Sequence, residues 1–413
     1  MTQNTDGKPA PWLLLYLIIP VYFFTMFYRM APSVMAGGLA ADFGVPISEL
    51  SVMSSMTFVS YGLMQLPSGM LADAIGERRT ICLITLVAGL ANFWFALSGG
   101  LAEASAARFL LGIGCSITVP CSALLARNFS AGGYARANSW FLTMGTVGTV
   151  CAGAPLLYLC GLMGWRMLMA CCGALSLVFA AACWLLIRDP EGAERESLAV
   201  MAAELRTGAA RVFSCGRFWP VALWFTFAIA VYFSLGGMWW GPHLIHGCGL
   251  TPDEAGTVIS ASYLVALPSQ YLLITLSERL GRRRKVMVIS MTVCLGSMLA
   301  LSLFGQSMGP VLLAVQGGCF TLCCAGIGAV AFVSAKELFP LEISGTAIGA
   351  LQTLPYLAAT PVLQKLFGSV LEWRHAATGD WAVAYSQAGW LNCIVIGLAL
   401  LMGLCVREKQ AGE

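Results

Sequence analysis

The strongest constraint on the fold of this chain is a series of apolar segments, each long enough to cross a lipid bilayer. Of the 413 residues 58% are hydrophobic and only 10% are charged, whereas a soluble domain is about 25% charged. A helix of about 20 apolar residues spans a membrane. We therefore predict an all-α membrane protein with twelve transmembrane helices, at residues 12–41, 48–75, 78–98, 101–128, 133–161, 165–188, 218–246, 253–280, 284–305, 308–338, 342–370 and 381–406.

The distribution of positive charge predicts the orientation of these helices. With both termini in the cytoplasm, eighteen lysines and arginines fall on the cytoplasmic side, and only Arg166 and Arg374 fall outside. Connections rich in lysine and arginine stay in the cytoplasm, so we expect both termini there. The segment 189–217 is the one long charged connection, expected to be a cytoplasmic linker with a short amphipathic helix on the membrane surface. The polar first residues lack the features of a signal peptide, so the first apolar segment is expected to be retained.

The two halves of the sequence resemble each other. At an offset of about 205 residues, Gln65 coincides with Gln270 and Gly76 with Gly281, each glycine being followed by a basic cluster. The offset is half the chain length, which predicts a six-helix bundle at 1–188, the linker at 189–217 and a second bundle at 218–413. Duplicated membrane proteins of this kind bind a substrate near the bilayer midplane and rock one half against the other. The duplication argues against a membrane enzyme or a single-bundle receptor.

Three residues that normally carry full charge lie well inside the apolar segments, and all three are cations: Arg29, Arg108 and Lys365. The acidic residues all fall at segment ends or in connections. A guanidinium in the membrane interior costs roughly 3 kcal/mol on insertion scales and is tolerated when it faces a wet cavity or a partner. Because no intramembrane carboxylate is available, we expect the partner to be an anion that visits the site.

The connection between the second and third predicted helices reads Gly69-Met70-Leu71-Ala72-Asp73-Ala74-Ile75-Gly76-Glu77-Arg78-Arg79. It resembles the loop signature of the major facilitator superfamily, which implies that Gly69, Asp73, Gly76, Arg78 and Arg79 form a gate on the cytoplasmic side. Gly76 allows a tight turn, and Asp73 can cap a helix or pair with Arg127 or Arg136. Ala74 and Glu77 stand where basic residues are usual, so the gate charges are expected to be rearranged. A weaker copy, Glu278-Arg279-Leu280-Gly281-Arg282-Arg283, lies in the second half.

Two further segments carry the resemblance. Arg108-Phe109-Leu110-Leu111-Gly112-Ile113-Gly114 is similar to an element whose arginine the superfamily links to proton coupling; the alternative is that Arg108 reaches the membrane surface. Tyr28-Arg29-Met30-Ala31-Pro32 resembles the first-helix arginine of the organic-anion and sugar-phosphate permease branches. Pro32 frees a backbone carbonyl three or four residues earlier, which suits an anion site. The alternative for Arg29 is the outer membrane interface.

The resemblance and the residue types together predict a binding site. Its candidates are Arg29 with neighbouring polar or aromatic side chains on helices that line the cavity in this superfamily, namely Tyr28, Tyr61, Gln65, Trp240, His243, Gln270, Gln352 and Lys365. Arg108 and His243 are the candidates for coupling, since a histidine titrates near neutral pH. Alternatives stay open: Trp240 at the membrane interface, His243 as a structural residue, and Lys365 reaching the surface.

The sequence also excludes several classes of protein. It shows no catalytic constellation, no phosphate-cradling loop and no histidine cluster, so neither an enzyme nor a cofactor or metal is expected. The sixteen cysteines are interpreted as small buried hydrophobic residues. A net charge of +3 is too small to suggest nucleic acid as a partner.

We predict a secondary transporter in the plasma membrane, or in the inner membrane of a prokaryote. It would carry a small organic anion, either a carboxylate or a phosphorylated metabolite, in proton-coupled uptake. Its partners would be that anion, protons and the lipid bilayer, and the resemblance implies a monomer. Anion exchange without protons is one alternative, because the carboxylates that usually relay protons are missing from the apolar segments. Export of drugs or lipophilic compounds is the other, favoured by the aromatic content.

Overall fold

The structure, a computed structural model, describes residues 11–189 and 198–406, and over these residues it contains helices and no strand. The predicted all-α class is confirmed for this part of the chain. Three π-helical segments interrupt the α-helices, at Leu235–Trp239, His243–Gly247 and Pro355–Ala359, and a 3₁₀ turn lies at Gly305–Ser307. The α-helices are α1 (Pro11–Phe43), α2 (Leu50–Leu63), α3 (Gln65–Ile75), α4 (Glu77–Leu97), α5 (Leu101–Gly114), α6 (Thr118–Asn128), α7 (Ala131–Cys151), α8 (Ala154–Leu186), α9 (Leu198–Ser214), α10 (Phe218–Ser234), α11 (Trp240–Pro242), α12 (Pro252–Val265), α13 (Ser269–Leu280), α14 (Arg283–Phe304), α15 (Pro310–Ala325), α16 (Ile327–Leu338), α17 (Leu341–Leu354), α18 (Thr360–Thr378) and α19 (Trp381–Cys405).

Nine helical stretches of the described residues are long and apolar enough to cross a membrane. They are Pro11–Phe43, Glu77–Leu97, Leu101–Asn128, Ala154–Leu186, Phe218–Gly247, Pro252–Leu280, Arg283–Ser307, Pro310–Leu338 and Trp381–Cys405. Three predicted segments are missing from this set. The one at 48–75 is divided into α2 and α3, the one at 133–161 between α7 and the first part of α8, and the one at 342–370 into α17, a π-helical segment and α18. Helix length and composition alone therefore identify fewer membrane-spanning helices in the described residues than the twelve predicted.

Prolines account for most of the breaks between collinear helices. A proline has no backbone N–H and clashes with the preceding turn, so the helical ladder is interrupted just before it. The residues concerned, each within a few positions of a break, are Pro67, Pro120, Pro155, Pro268 and Pro355. In α8 the interruption is a glycine instead, since Gly164 has a φ of 77° between two helical pieces.

Helices of the first half pack mostly on one another, and so do those of the second half. In the first half α1 contacts α7 and α8, α2 contacts α5, and α4 contacts α5 and α8. In the second half α19 contacts α10 and α14, and α12 contacts α15. The halves meet where α2 contacts α18, α1 contacts the π-helical segment Leu235–Trp239, and α7 contacts α12. The predicted boundaries at 188 and 217 stay predictions.

Gly62 allows one of the closest approaches between the halves. A Cβ at this position would lie 2.6 Å from the backbone nitrogen of Leu357. Only glycine, whose side chain is a hydrogen atom, fits at this position. The backbone of α2 therefore contacts the backbone of the π-helical segment Pro355–Ala359 directly.

The linker region contains the predicted short helix. This helix, α9, packs against α17 and α3, and Gly208 lies against the side chain of Thr346. Residues 190–197 of the predicted linker lie outside the described residues. Because α9 contacts helices of both halves, it borders the space that opens between them.

Candidate functional site

Two adjoining spaces lie between the halves. The first, here the vestibule, has a volume of 870 Å³ and is lined by Gln65, Gly69 and Asp73 among others. Asp73 lies near the junction of α3 and α4. This end of the molecule, called the basic end below, carries Arg78, Arg79, Arg127 and Arg283. The second, the central cavity, has a volume of 390 Å³. Gln352 lines both spaces, so the central cavity adjoins the vestibule on the side of the basic end.

Arg29 lies at the head of the central cavity, within a box of aromatic rings. Its guanidinium carbon is 4.2 Å from the ring centroids of both Tyr61 and Phe233, 5.0 Å from Tyr356 and 5.6 Å from Phe58. Cation–π contacts of this kind stabilise a desolvated cation by about 2 kcal/mol. Tyr61, Phe233 and Tyr356 also line the cavity, so these rings stand between the arginine and the open space.

The guanidinium of Arg29 is buried and incompletely paired. The residue is 0% exposed, and among the described residues the one hydrogen bond of its guanidinium runs from Nη1 to the sulfur of Met26, at 3.6 Å. Within residues 11–189 and 198–406, neither Nε nor Nη2 has a hydrogen-bond partner, and no carboxylate pairs with the side chain. A planar guanidinium can bind a carboxylate or a phosphate through two parallel hydrogen bonds. The site therefore has the donors and the charge that an anion requires.

The remaining wall of the central cavity is mostly apolar and aromatic, with a few neutral polar groups. Gln270 and Gln352 supply amides, and the other lining residues include Tyr22, Thr118, Thr146, Phe225, Tyr232 and Phe332. Small-molecule sites are commonly built this way, with an apolar wall and few well-placed polar groups. Among the described residues no aspartate or glutamate lines this cavity.

Arg108 fills a backbone position next to Arg29. Because Pro32 has no N–H, the carbonyl of Tyr28 cannot receive the helical hydrogen bond from position 32. The Nη1 of Arg108 donates a hydrogen bond of 2.9 Å to this carbonyl. Arg108 is 0% exposed, so the alternative that it reaches the membrane surface does not describe this structure. The carbonyl freed by Pro32 is therefore occupied by a second arginine.

The structure brings only part of the predicted set to the two spaces. Arg29 and Tyr61 lie at the head of the central cavity, Gln270 and Gln352 line it, and Gln65 lines the vestibule. The other predicted binding residues point elsewhere.

Tyr28 and Trp240 are packing residues in this structure. The hydroxyl of Tyr28 lies 2.8 Å from the Oγ of Ser176 and donates to the carbonyl of Cys172, so the side chain points into α8. Trp240 is 3% exposed and stacks edge-on against Tyr263. Neither residue lines the central cavity.

His243 and Lys365 also lie away from the central cavity. His243 is 2% exposed, contacts Tyr385, and lines a separate pocket of 260 Å³ with Ser302 and Ser386. Lys365 is exposed, which agrees with the alternative that it reaches the surface. Its neighbour Gln364 is 0% exposed and lies between the halves.

The binding set predicted from the sequence does not contain Phe233, Tyr356 or Gln364. A sequence signal for Gln364 exists, because Phe367 and Leu371 follow it at i+3 and i+7, the spacing of an apolar helix face, whereas Gly368 and Glu372 stand at these spacings from Lys365. Phe233 lies two residues before one π-helical segment and Tyr356 lies within another, and such segments are frequent at functional sites. No simple pattern in the sequence marks those segments.

The predicted gating loop forms a charged cluster at the basic end. Arg127 pairs with Glu77, with Nε 3.0 Å from Oε1 and Nη1 3.1 Å from Oε2, and its Nη2 lies 3.7 Å from the Oδ1 of Asp73. The side chain of Glu77 is 2% exposed, so the residue that departs from the usual pattern is the better-buried partner of the arginine. The role of this loop as a gate stays a prediction.

Gly76 and Arg78 join this loop to the end of α8. Gly76 has a φ of 93°, and a Cβ there would collide with the carboxylate of Asp189. The backbone N–H of Arg78 donates to that carboxylate, and its guanidinium carbon lies 4.4 Å from the ring centroid of Trp184. Arg79 is exposed at the same end. Gly69 packs against Val119 of α6, as the close approach of two helices requires.

The second half repeats this contact with the charges exchanged. Here the loop supplies the base, Arg283, and the helix end supplies the acid, Glu337, joined by a hydrogen bond of 2.8 Å from Nε to Oε2. In the first half the loop supplies Glu77 and the helix end supplies Arg127. The Glu337 side chain is 53% exposed, so the second contact is the weaker of the two.

Comparisons with known proteins agree with this architecture. A family model described as Major Facilitator Superfamily matches residues 18–244, more than half of the chain. The chain is 22% identical over 376 residues to a gallate transporter of Pseudomonas putida, covering 83% of this chain and 82% of that one. It is 24% identical over 389 residues to a 3-(3-hydroxy-phenyl)propionate transporter of Escherichia coli (strain K12), covering 92% of this chain and 90% of that one.

Solved structures resemble this one in fold. A bacterial homolog of the human lysosomal transporter Spinster, in an inward-facing and unoccupied conformation, has a TM-score of 0.75 at 16% identity, covering 98% of this chain and 100% of that one. A D-xylose–proton symporter has a TM-score of 0.74 at 16% identity, covering 97% of this chain and 99% of that one.

Proposed function

Because the chain belongs to the major facilitator superfamily, we propose that it moves a small organic anion across the membrane by secondary active transport. The protein is a multi-pass transporter of the kind found in the bacterial inner membrane, and not an enzyme. The anion as substrate, the mode of coupling and the residues of the site are the parts that we propose. One observation carries the proposal, namely the buried and incompletely paired guanidinium of Arg29 at the head of the central cavity.

A desolvated cation without a counter-ion is expensive, and a protein retains one where a ligand supplies the missing charge. Arg29 offers Nε and Nη2 on one edge of its plane, which is the geometry of a bidentate pair with a carboxylate. The rings of Tyr61, Phe233 and Tyr356 would have to move aside as the anion arrives. Binding is therefore proposed to be coupled to a rearrangement of the aromatic box.

A carboxylate attached to an aromatic ring fits this site better than a phosphorylated metabolite. One guanidinium neutralises a single negative charge, whereas a phosphomonoester carries nearly two at neutral pH. The aromatic wall can stack against a planar ring. The gallate and 3-(3-hydroxy-phenyl)propionate named for two relatives are both aromatic carboxylates. Gln270 and Gln352 would then bind hydroxyl groups of the ligand.

The proposed transport cycle uses two six-helix bundles at 1–188 and 218–413, twelve membrane-spanning helices in all, and a linker at 189–217. Both termini and the basic end are placed in the cytoplasm by the positive-inside rule. The vestibule then opens toward the cytoplasm, and the opposite end is closed by contacts between the halves. A rocking motion would open the opposite end and close the vestibule.

We propose uptake together with a proton, with His243 as the proton-carrying residue and Arg108 as the residue that holds the helix beside Arg29. Anion exchange without protons is the alternative, and the lack of a carboxylate in the described lining of the central cavity favours it. In proteoliposomes an inward-directed pH gradient should accelerate uptake of the anion. If the uptake rate does not change with the pH gradient but requires an anion on the opposite side of the membrane, the protein is an anion exchanger.

The decisive experiment compares Arg29→Ala with a matched variant, Lys365→Ala, in which the removed intramembrane cation faces outward. Thermal unfolding of the purified protein in detergent is followed with gallate, other aromatic acids, sugar phosphates and lipophilic cations, because a ligand of the folded state stabilises it by mass action. We expect an aromatic acid to stabilise the wild type and Lys365→Ala, and not Arg29→Ala. Stabilisation by the same acid in all three proteins would refute the assignment of Arg29.

Export of lipophilic compounds is the second candidate function, since the central cavity is lined largely by aromatic and aliphatic side chains. Under this alternative, neutral or cationic lipophilic compounds would stabilise the protein whether or not Arg29 is present. Overexpression in a drug-sensitive strain would then raise resistance, whereas an anion importer would leave it unchanged.

A further inference from the structure

Gln364 is a buried polar residue that joins the two halves of the chain on the far side of Arg29 from the vestibule. It is 0% exposed. Its Nε2 donates to the Oγ of Ser54 at 3.3 Å and to the carbonyl of Phe233 at 3.2 Å, and its Oε1 accepts from the Oγ of Ser55 at 2.9 Å. Its main-chain carbonyl accepts from the indole Nε1 of Trp239 at 2.9 Å. Both polar atoms of the side chain are thus satisfied, by two residues of α2 in the first half and by one of α10 in the second.

The contacts around Gln364 belong to a larger closed region in which α1 and α2 meet the second half. This region, here called the outer contact, includes Ser33 and Ser54 of the first half and Gly237, Gly241 and Gln364 of the second. The Oγ of Ser33 accepts from the backbone N–H of Gly241 at 2.9 Å, and the Oγ of Ser54 donates to the carbonyl of Gly237 at 3.1 Å. A Cβ at position 241 would lie 2.9 Å from the backbone carbonyl carbon of Ser33, so the two backbones are close here. Opening this end of the molecule requires these hydrogen bonds to break.

Phe233 connects the outer contact to Arg29. Its ring centroid lies 4.2 Å from the guanidinium carbon, and its carbonyl accepts from Gln364. On α2, Ser54 and Ser55 contact Gln364, while Phe58 and Tyr61, one and two turns further along, contact Arg29. Two separate elements therefore run from the aromatic box to the side chain of Gln364.

The π-helical segment Leu235–Trp239 begins two residues after Phe233. Such a segment lacks the regular hydrogen-bond ladder of an α-helix, so the backbone next to Phe233 can shift without unwinding α10. Movement of the Phe233 ring and release of its carbonyl can then occur as one event.

We propose that Gln364 is a positioning residue that couples occupancy of the Arg29 site to opening of the outer contact. In this conformation its hydrogen bonds favour the closed outer contact. An anion that displaces the Phe233 ring weakens the bond to the carbonyl and shifts the population toward opening. The inference rests on the proposed function for its ligand, whereas the effect of Gln364 on the closed state is independent of any ligand.

The test uses Ser33→Cys as a reporter, because position 33 lies in the outer contact but does not touch Gln364. A membrane-impermeant maleimide reacts with the introduced sulfur only when this region opens. Peptide-resolved mass spectrometry separates this label from the sixteen native cysteines. The reporter is combined with Gln364→Leu, and with Lys365→Leu as the matched control on the exposed face of the same helix. Ser55→Ala removes one of the bonds and serves if Gln364→Leu fails to fold.

Without ligand, Gln364→Leu should increase the labelling rate about tenfold, since it removes three side-chain hydrogen bonds made in the closed state, and Lys365→Leu should leave the rate unchanged. Ser55→Ala should increase the rate in the same direction by a smaller factor. Gallate should raise the rate in the wild-type background and have little further effect in Gln364→Leu. Equal labelling rates of Gln364→Leu and Lys365→Leu without ligand, or an equal increase of both rates by gallate, would overturn the inference.

The two proposals fail in different ways. If gallate neither binds nor changes labelling in the wild type, the proposed ligand class is wrong, and the ligand-free comparison still decides the role of Gln364 in closure. If gallate binds through Arg29 but the labelling rate is the same in Gln364→Leu as in Lys365→Leu, the transport proposal stands and Gln364 is only a packing residue. The transport assay adds a further distinction: Gln364→Leu should lower kcat more than it raises KM, because it acts on the conformational step.

Discussion

Replacing Pro32 with alanine is expected to compensate for the loss of Arg108. In the structure the Nη1 of Arg108 donates to the carbonyl of Tyr28, which the missing N–H of Pro32 leaves without its helical partner. Pro32→Ala supplies that N–H. In Arg108→Met the carbonyl would be buried and unpaired, and in the double variant it would be paired again by the backbone of α1.

The magnitude follows from the contacts. A hydrogen bond from a charged donor is worth about 1.5–3 kcal/mol, and an orphaned buried carbonyl costs about 1–3 kcal/mol. Removing Arg108 also relieves the burial of a cation whose Nε and Nη2 have no partner among the described residues, and this gain is several kcal/mol of opposite sign. The change in unfolding free energy caused by Arg108→Met alone can therefore have either sign. The burial contribution is present whether position 32 is proline or alanine, so it cancels in the double-mutant cycle. The coupling energy between the two positions should be about 2 kcal/mol.

The measurement is reversible unfolding in bicelles by titration with sodium dodecyl sulfate, for the wild type, Arg108→Met, Pro32→Ala and the double variant. Pro20→Ala is the matched control, because Pro20 is the other proline inside α1 and its freed carbonyl lies one helical turn earlier, at the exposed residue Tyr16. It should show no coupling to Arg108→Met. Additivity within about 0.5 kcal/mol for the Pro32 cycle, or the same coupling for Pro20, would refute the reasoning.

In the same titration, Glu77→Gln should lower the free energy of unfolding by about 2 kcal/mol, and Glu337→Gln should lower it by less than about 1 kcal/mol. The reason is that the side chain of Glu77 is 2% exposed and that of Glu337 is 53% exposed. Equal losses in the two variants would contradict this ranking. Gly62→Ala should destabilise by about 2 kcal/mol through collision with a neighbouring backbone, whereas Gly397→Ala, with nothing within 4 Å, should stabilise by up to about 1 kcal/mol. Arg29→Lys keeps the charge but loses the planar fork, so calorimetry should show at least about a tenfold weaker affinity for gallate, and an unchanged affinity would mean that the site requires charge alone.

Much of the fold could be predicted from the sequence because a bilayer imposes a simple rule. A segment that crosses lipid must be long, apolar and helical, and these properties can be counted along the chain. The limits appear where prolines divide a segment, as at Pro67 and Pro355, since no single piece is then both long enough and apolar enough to be recognised as a membrane-spanning helix. The charged loop at residues 73–79 was predictable for a related reason, because its turn needs a glycine at position 76 with positive φ.

The candidate site was predictable only in part. Arg29 was found because a lone cation in an apolar segment is conspicuous in any sequence. Gln364 was missed because its charged neighbour Lys365 attracted attention, although the two side chains point about 100° apart around the helix axis. Arg108 was correctly noticed as unusual, but its partner, the carbonyl of Tyr28, lies 80 residues away in sequence.

The sequence by itself therefore determined the class of protein, the approximate positions of its apolar helices and the presence of unpaired positive charge among them. These are properties of single segments, set by hydropathy and by the cost of burying charge. The tertiary structure alone decided that Arg29 lies in a box of four aromatic rings, that Glu77 is the buried partner of Arg127, and that Gln364 joins the two halves. The reason is that a transmembrane helix can rotate about its axis with little change in its own energy, so the direction of each polar side chain is set by the helices that pack around it.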